Sequence, residues 1–170
     1  MTRLEEAVHY IIASTTPEEL GKTKLAKVLF FADLDAYRRT GRPITEAVYV
    51  KRQHGPMPEQ FYAAINDLDR QGKIAQRQMP HFGYDQHQFW ALREPELREL
   101  SADDVATLAV YTRSVCDHHT AVSISDATHN LAWELADMGE RIPFAAYMAA
   151  VGIGQPTPDE IVQIEEQLGA

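Results

Sequence analysis

The chain has 170 residues, 45% of them apolar, with one cysteine and a formal net charge of −9. This length and composition predict one ordered domain over residues 1–170 and argue against a disordered chain. No apolar run is long enough to cross a bilayer, the first residues lack the apolar stretch of a signal peptide, and Cys116 alone excludes a disulfide framework. We therefore expect a cytoplasmic protein with no membrane partner.

The charge is divided unevenly along the chain. Residues 1–80 carry 12 Lys and Arg against 10 Asp and Glu, whereas residues 81–170 carry 4 against 15. Binding to a phosphate backbone depends on clustered cations, so nucleic acid is an unfavourable partner. The acidic second half suits a basic protein partner, although solubility alone also explains an acidic surface.

Two helices are predicted before residue 43. Residues 3–14 place apolar side chains at helical spacing, and residues 22–39, KTKLAKVLFFADLDAYRR, have a wide apolar face that we expect to be central. The connection 15–23 includes a short helical turn. Gly41, followed by Pro43, marks the end of the second helix.

Residues 45–52 predict a strand, and QHGPMPEQFY (53–62) follows it. His54 has two interpretations: a general base, or part of a backbone device in which Gly-Pro-x-Pro converts strand into helix and His54 satisfies a backbone group. No nucleophile or activating partner accompanies His54, which favours the second interpretation. Pro58 suits a first helical turn, so we predict a helix over 58–71.

A hairpin and further helices complete the predicted fold. Strands are predicted at 73–79 and 87–92, joined by the loop 80–86, and helices at 101–117, 125–137, 143–150 and 158–168. The fold class is mainly α with a small antiparallel β-sheet (α+β). The order helix, helix, strand, helix, strand, strand over 1–95 is that of a winged helix, and 96–170 forms a helical part.

Two aromatic residues, Phe82 and Tyr84, stand at the tip of the predicted hairpin, where they are hard to bury. Exposed aromatic side chains favour protein interfaces. Phe82 and Tyr84 are therefore candidate contacts with a partner protein, and packing against the later helices is the alternative.

No pattern indicates catalysis, a metal site or a cofactor. The histidines and acid that come nearest to a ligand set lack the tight spacing of known metal motifs; they are His118, His119, Asp126 and His129. Cys116 lies two and three residues before His118 and His119, and that spacing alone does not make a catalytic pair. We expect no enzyme activity.

Four segments resemble the Panacea, or SocA-like, antitoxin family: KLAKVLFFAD (24–33), GRPIT (41–45), HGPMPEQFY (54–62) and SDATHNLAWELA (125–136). The residues that carry the resemblance, as structural or partner-contacting positions, are Lys24, Leu25, Lys27, Phe31, Asp33, His54, Gly55, Pro56, Tyr62, Thr128, His129 and Trp133. Whether the charged residues of segment 24–33 anchor the helix internally or contact a partner stays open.

The resemblance implies an antitoxin of a bacterial or phage toxin–antitoxin pair. Such a protein neutralises a toxin, encoded beside it, by direct contact, and one branch of the family delivers the toxin to a protease. The alternative is a winged-helix DNA-binding regulator that reads DNA with helix 58–71. That helix carries Glu59, Asp67 and Asp69 against Arg70, a charge balance that suits a phosphate-lined groove badly.

Overall fold

The computed structural model describes residues 1–151, and the predicted helix 158–168 lies outside them. The helices in these residues are α1 Arg3–Ala13, α2 Pro17–Thr40, α3 Phe61–Arg70, α4 Ala102–His118, α5 Ala121–Asp126, α6 Leu131–Leu135 and α7 Phe144–Val151. The strands are β1 Tyr49–Arg52, β2 Gly55–Pro58, β3 Ile74–His81 and β4 Tyr84–Ala91.

The long helix α2 is the centre of the core, as its wide apolar face predicts. It starts earlier than predicted, at Pro17, because Gly21 adopts a φ of 61° and joins a short first segment to the main helix across a kink. Phe30 makes edge contacts with Tyr49 of β1 and Tyr147 of α7, with ring centroids 5.4 and 4.8 Å apart. One buried apolar cluster thus links the first half of the chain to the last described helix.

A buried carboxylate fixes α1 to the segment that precedes α4. Glu6 is 1% exposed, and its Oε2 accepts the backbone N–H groups of Arg98, Glu99 and Leu100 at 3.0, 3.0 and 3.2 Å. Three backbone donors replace the water that the carboxylate loses, so the charge is tolerated in the interior.

The strands form two separate antiparallel hairpins, β1–β2 and β3–β4. This agrees with the α+β class, but the order of elements has one strand more than the predicted winged-helix order. The prediction that Gly-Pro-x-Pro converts strand into helix was wrong, because residues 55–58 form β2, in which Pro56 pairs with Lys51. A proline fits there because β2 is an edge strand of a two-stranded sheet and need not donate on its outer side.

The β3–β4 hairpin is longer than predicted. Its strands continue through Pro80 and Tyr84, so the loop 80–86 shrinks to a turn made by Phe82 and Gly83. Both turn residues have positive φ, 44° for Phe82 and 88° for Gly83. Two positive φ values are the mark of a type I′ turn, whose twist matches that of the paired strands.

The predicted helix 125–137 is divided in two. α5 ends at Asp126, and α6 begins only at Leu131, where Asn130 accepts the backbone N–H of Trp133 at 3.1 Å. An asparagine cap is a strong signal for a new helix start. Asp126 and His129 therefore do not share a helix face. Within residues 1–151, no helix combines the length and the apolarity needed to cross a bilayer.

Candidate functional site

Lys27 connects α2 to the β1–β2 hairpin from inside the protein. Its side chain is 1% exposed, and Nζ donates a hydrogen bond of 3.0 Å to the carbonyl oxygen of Pro56. Gly55, the neighbour of Pro56, has a φ of 103°. A Cβ at position 55 would overlap the Thr128 hydroxyl and stand 2.5 Å from Lys27 Nζ. The hairpin can approach α2 this closely only because residue 55 is glycine.

The same cluster includes the turn between α5 and α6. Thr128 is fully buried, and its hydroxyl donates to the Ser125 carbonyl oxygen at 2.7 Å. The Thr128 carbonyl oxygen accepts from the Tyr147 hydroxyl at 3.3 Å. Three segments that are far apart in the sequence thus meet around the ammonium group of Lys27.

His129 and Trp133 extend this cluster toward β1. Their rings stack with centroids 3.8 Å apart and planes 8° apart. Trp133 Nε1 donates to the Arg52 carbonyl oxygen at 3.1 Å, and Lys51 Nζ lies 4.3 Å from the centre of the Trp133 ring. Burial, together with the nearby charge of Lys27, lowers the pKa of His129, so its imidazole is neutral at pH 7.

Burial also lowers the pKa of Lys27 to about 7. The desolvated ammonium has a single hydrogen-bond acceptor within residues 1–151, and the cationic form is disfavoured in that environment. At neutral pH Lys27 is therefore divided between its charged and neutral forms, unlike an exposed lysine.

Asp33 lies elsewhere on α2 and fixes the chain that leads into β1. It is fully buried and accepts from the Thr45 backbone N–H at 2.8 Å, from the Thr45 hydroxyl, and from the Tyr49 hydroxyl at 2.8 Å. Burial raises the pKa of Asp33 to about 6, although these hydrogen bonds favour the carboxylate. Of the two alternatives left open for the charged residues of segment 24–33, Asp33 fits the internal anchor, and its partners are hydroxyl and amide groups.

The other residues that resemble the family divide between the core and the surface. Leu25 and Phe31 are buried in the core, and Lys24 Nζ donates to the Cys116 carbonyl oxygen at 3.2 Å. Tyr62 is 49% exposed at the start of α3, with Lys22 Nζ 5.1 Å from the centre of its ring.

His54 is exposed in the turn between β1 and β2. It forms no hydrogen bond to a backbone group within residues 1–151, so the predicted capping role was wrong. The hairpin is instead held to α2 by the Lys27 bond to the Pro56 carbonyl oxygen and by the close approach that Gly55 permits.

The candidate partner contacts are at the far end of the β3–β4 hairpin. Phe82 is 93% exposed and Tyr84 is 58% exposed. The ring of His81 makes edge contacts with both, at centroid distances of 4.6 and 5.5 Å. Close to the turn, the hairpin is fixed to α2 by Gln86, whose side-chain amide donates to the Glu18 carbonyl oxygen at 3.1 Å. These three residues, His81, Phe82 and Tyr84, form the hairpin tip.

The side chains considered as metal ligands, His118, His119, Asp126 and His129, do not form a metal-binding group in residues 1–151. No three His, Cys, Asp or Glu side chains in the described part of the chain are grouped as metal ligands. Burial raises the pKa of the Cys116 thiol to about 11, and a protonated thiol is a poor nucleophile.

Sequence reasoning missed the contribution of Lys22, Lys51 and Arg52. Lys51 and Arg52 were interpreted only as the end of a strand, and Lys22 as the start of a helix. The cation of Lys22 lies beside Tyr62 and that of Lys51 beside Trp133, pairs that are 40 and 82 positions apart. No local spacing pattern reports such distant contacts, which arise only when the hairpin closes on α2.

The fold and this cluster define an α+β protein in which a short β-hairpin is locked to a central helix by a buried lysine. Residues 25–134 match the family described as "Antitoxin SocA-like, Panacea domain". Because the match covers more than half of the chain, the protein belongs to this family. No curated protein and no solved structure shows a significant match.

Proposed function

We propose that this protein is a cytoplasmic antitoxin that neutralises a cognate toxin by direct protein–protein binding and performs no catalysis itself. The observation that carries the proposal is the family match over residues 25–134. The cluster around Lys27 also supports a binding scaffold, because its polar groups hold elements of the fold together.

The hairpin tip is the part of the surface that we assign to the toxin. Phe82 presents nearly its whole ring to solvent at a position of positive φ, where a bulky residue is strained. Strained residues persist where function compensates for their energetic cost. A large aromatic side chain that fills a pocket on the partner is a common source of binding energy.

The charge of α3 argues against the alternative function, a winged-helix regulator that would read DNA with this helix. Arg70, the only cation of that helix, forms an ion pair with Asp67 three residues before it. Asp69 adds a further negative charge, and its carboxylate accepts from Gln76 at 3.2 Å. This surface would repel a phosphate backbone.

A rescue experiment tests the proposal. The gene beside this one in its native locus is expressed in bacteria alone and together with this chain, and growth is compared. We expect the neighbour to arrest growth and this chain to restore it. A harmless neighbour that forms no complex with this chain would remove the antitoxin function.

Point variants test the assigned surface. We expect Phe82→Ala and Tyr84→Ala to weaken rescue while leaving the circular dichroism spectrum unchanged. Val110→Ala on α4 is the control, because Val110 is also an exposed apolar side chain, at 39%, but lies outside the hairpin. Equal rescue by all three variants would remove the hairpin tip from the interface.

The level of the toxin distinguishes masking from delivery to a protease. If this protein only masks the toxin, toxin and antitoxin accumulate together and co-purify. If it is an adaptor, the toxin disappears when this chain is expressed and returns in cells that lack the protease.

A further inference from the structure

A pocket of about 380 Å³ lies where the β1–β2 hairpin meets α2 and the start of α3. Its lining includes Lys22, Lys27, Arg52, His54 and Tyr62, and Met57 adds an apolar surface. This volume is within the range of small-molecule sites, which combine an apolar wall with a few convergent polar groups.

The lining is basic in a protein whose net charge is −9. No Asp or Glu lines the pocket, and Lys22, Lys27 and Arg52 form no ion pair within residues 1–151. Seven of the ten other arginines in those residues form an ion pair with a carboxylate; they are Arg3, Arg38, Arg39, Arg42, Arg70, Arg98 and Arg141. The pocket therefore concentrates positive charge that the described chain does not balance.

Lys27 gives the pocket a buried donor. An ammonium group has three N–H donors, and that of Lys27 uses one of them on the Pro56 carbonyl oxygen. Its side chain is 1% exposed, so water compensates little for the remaining donors. A buried lysine with few partners is costly by itself, and an anion in the pocket would offset that cost.

We propose that this pocket binds a small phosphorylated ligand, with its phosphate among Lys22, Lys27 and Arg52 and its organic part against Tyr62 and Met57. Phosphate fits better than a monovalent carboxylate because a dianion balances more of the three cations, and arginine binds phosphate through two parallel hydrogen bonds. The site is independent of the hairpin tip and goes beyond the proposed antitoxin function.

The charged or titratable groups near the Lys27 ammonium come from three elements, whereas burial alone lowers the pKa of Lys27. Lys22 lies on α2 itself, Arg52 and His54 lie on the hairpin, and His129 lies in the turn after α5. A bound phosphate would add negative charge beside Lys22, Arg52 and Lys27 and would therefore favour protonated Lys27. Binding is therefore accompanied by uptake of a proton near pH 7.5.

The test uses the isolated protein with phenyl phosphate and inorganic phosphate as probes, followed by two-dimensional amide NMR and calorimetry. We expect saturable shifts at residues lining the pocket, with phenyl phosphate bound more tightly than inorganic phosphate because its ring contacts Tyr62. Lys22→Ala and Arg52→Ala should each weaken binding about tenfold or more, since charge-assisted hydrogen bonds are lost. Arg113→Ala, which removes an exposed arginine on α4, is the control and should change nothing.

Calorimetry in two buffers with different ionisation enthalpies measures the proton uptake, which we expect to vanish in Lys27→Met. Lys22 and Arg52 are partly exposed, so we expect their variants to fold. These two variants therefore still test phosphate binding if Lys27→Met does not fold. Absence of saturable shifts at millimolar phenyl phosphate would overturn the proposal. So would equal binding by wild type and Arg52→Ala. Shifts at the pocket with the toxin but with neither phosphate probe would assign the site to a carboxylate of the partner protein.

Discussion

The ammonium of Lys27 occupies the space that a side chain at position 55 would need, since a Cβ on Gly55 would stand 2.5 Å from Lys27 Nζ. The lysine and the glycine are therefore two halves of one packing arrangement, although they are 28 positions apart. Thr128 closes the arrangement from the third side.

Gly55→Ala should destabilise the protein severely. The new methyl group overlaps Thr128 and Lys27, and alanine is strained at a φ of 103°, so we expect a loss of about 3 kcal/mol or more in the free energy of unfolding. Gly41→Ala is a matched control, because Gly41 also has positive φ, 76°, but open space around it, and should cost about 1 kcal/mol. Urea unfolding of both variants measures the difference, and equal losses would contradict a packing role for Gly55.

Lys27 should make stability depend on pH. Its pKa is about 7 in the folded protein against 10.5 for an ordinary lysine, so between these values the unfolded chain binds more protons. The free energy of unfolding therefore rises as pH goes from about 7 toward 10, and this contribution is lost as pH falls through about 7. Lys27→Met should flatten the slope between pH 7 and 9 by up to about 1.4 kcal/mol per pH unit.

Urea unfolding at several pH values compares wild type with Lys27→Met. The loss of the hydrogen bond to Pro56 shifts the variant's stability by an amount that does not depend on pH, so the difference in slope isolates the titration of Lys27. Parallel curves for the two proteins would show that Lys27 titrates like an exposed lysine.

Asp33, which is buried, should contribute far more to the free energy of unfolding than Asp35, which lies two residues later on α2. Asp33→Ala leaves the buried groups of Thr45 and Tyr49 without their acceptor, and we expect a loss of about 3–5 kcal/mol. Asp35→Ala removes ion pairs to Arg38 and Arg39, whose side chains are 43% and 40% exposed, and should cost at most about 1 kcal/mol. Thermal or urea unfolding separates the two, and similar losses would mean that the Asp33 contacts contribute little.

Helices α1, α2 and α4 and the β3–β4 hairpin were predictable because their signals are local. The apolar spacing of α1 and α2 and the Ser101 cap of α4 are read within a few residues, and the structure has these elements nearly where they were predicted. The sequence left open whether Phe82 and Tyr84 are exposed or pack against the later helices, and the structure has both of them exposed.

The elements that were missed depend on contacts between distant segments. Pro56 usually ends a strand, but here the Lys27 bond to its carbonyl oxygen and the missing Cβ of Gly55 hold β2 against α2. The break between α5 and α6 contains neither glycine nor proline, and it is stabilised by the bond from Thr128 and the cap at Asn130. Glu6 likewise finds its three donors more than 90 positions away.

Replacing Phe82 should change stability and toxin neutralisation in opposite directions. A type I′ turn favours asparagine at its first central position, where Phe82 adopts a φ of 44°. Phe82→Asn should therefore raise the free energy of unfolding by about 1 kcal/mol, because the strain of a bulky residue at positive φ is removed. The same change removes an aromatic ring that is 93% exposed, so rescue from the toxin should weaken.

Two measurements on Phe82→Asn decide between the roles of this residue. Urea unfolding reports stability, and the growth assay with the toxin reports neutralisation. Phe82→Tyr is the matched control, because it keeps both the strain and an aromatic ring and should preserve rescue and stability. A more stable Phe82→Asn protein with full rescue would mean that the aromatic side chain is not used in binding. A less stable one would mean that the ring supports the turn itself, for example through its edge contact with His81.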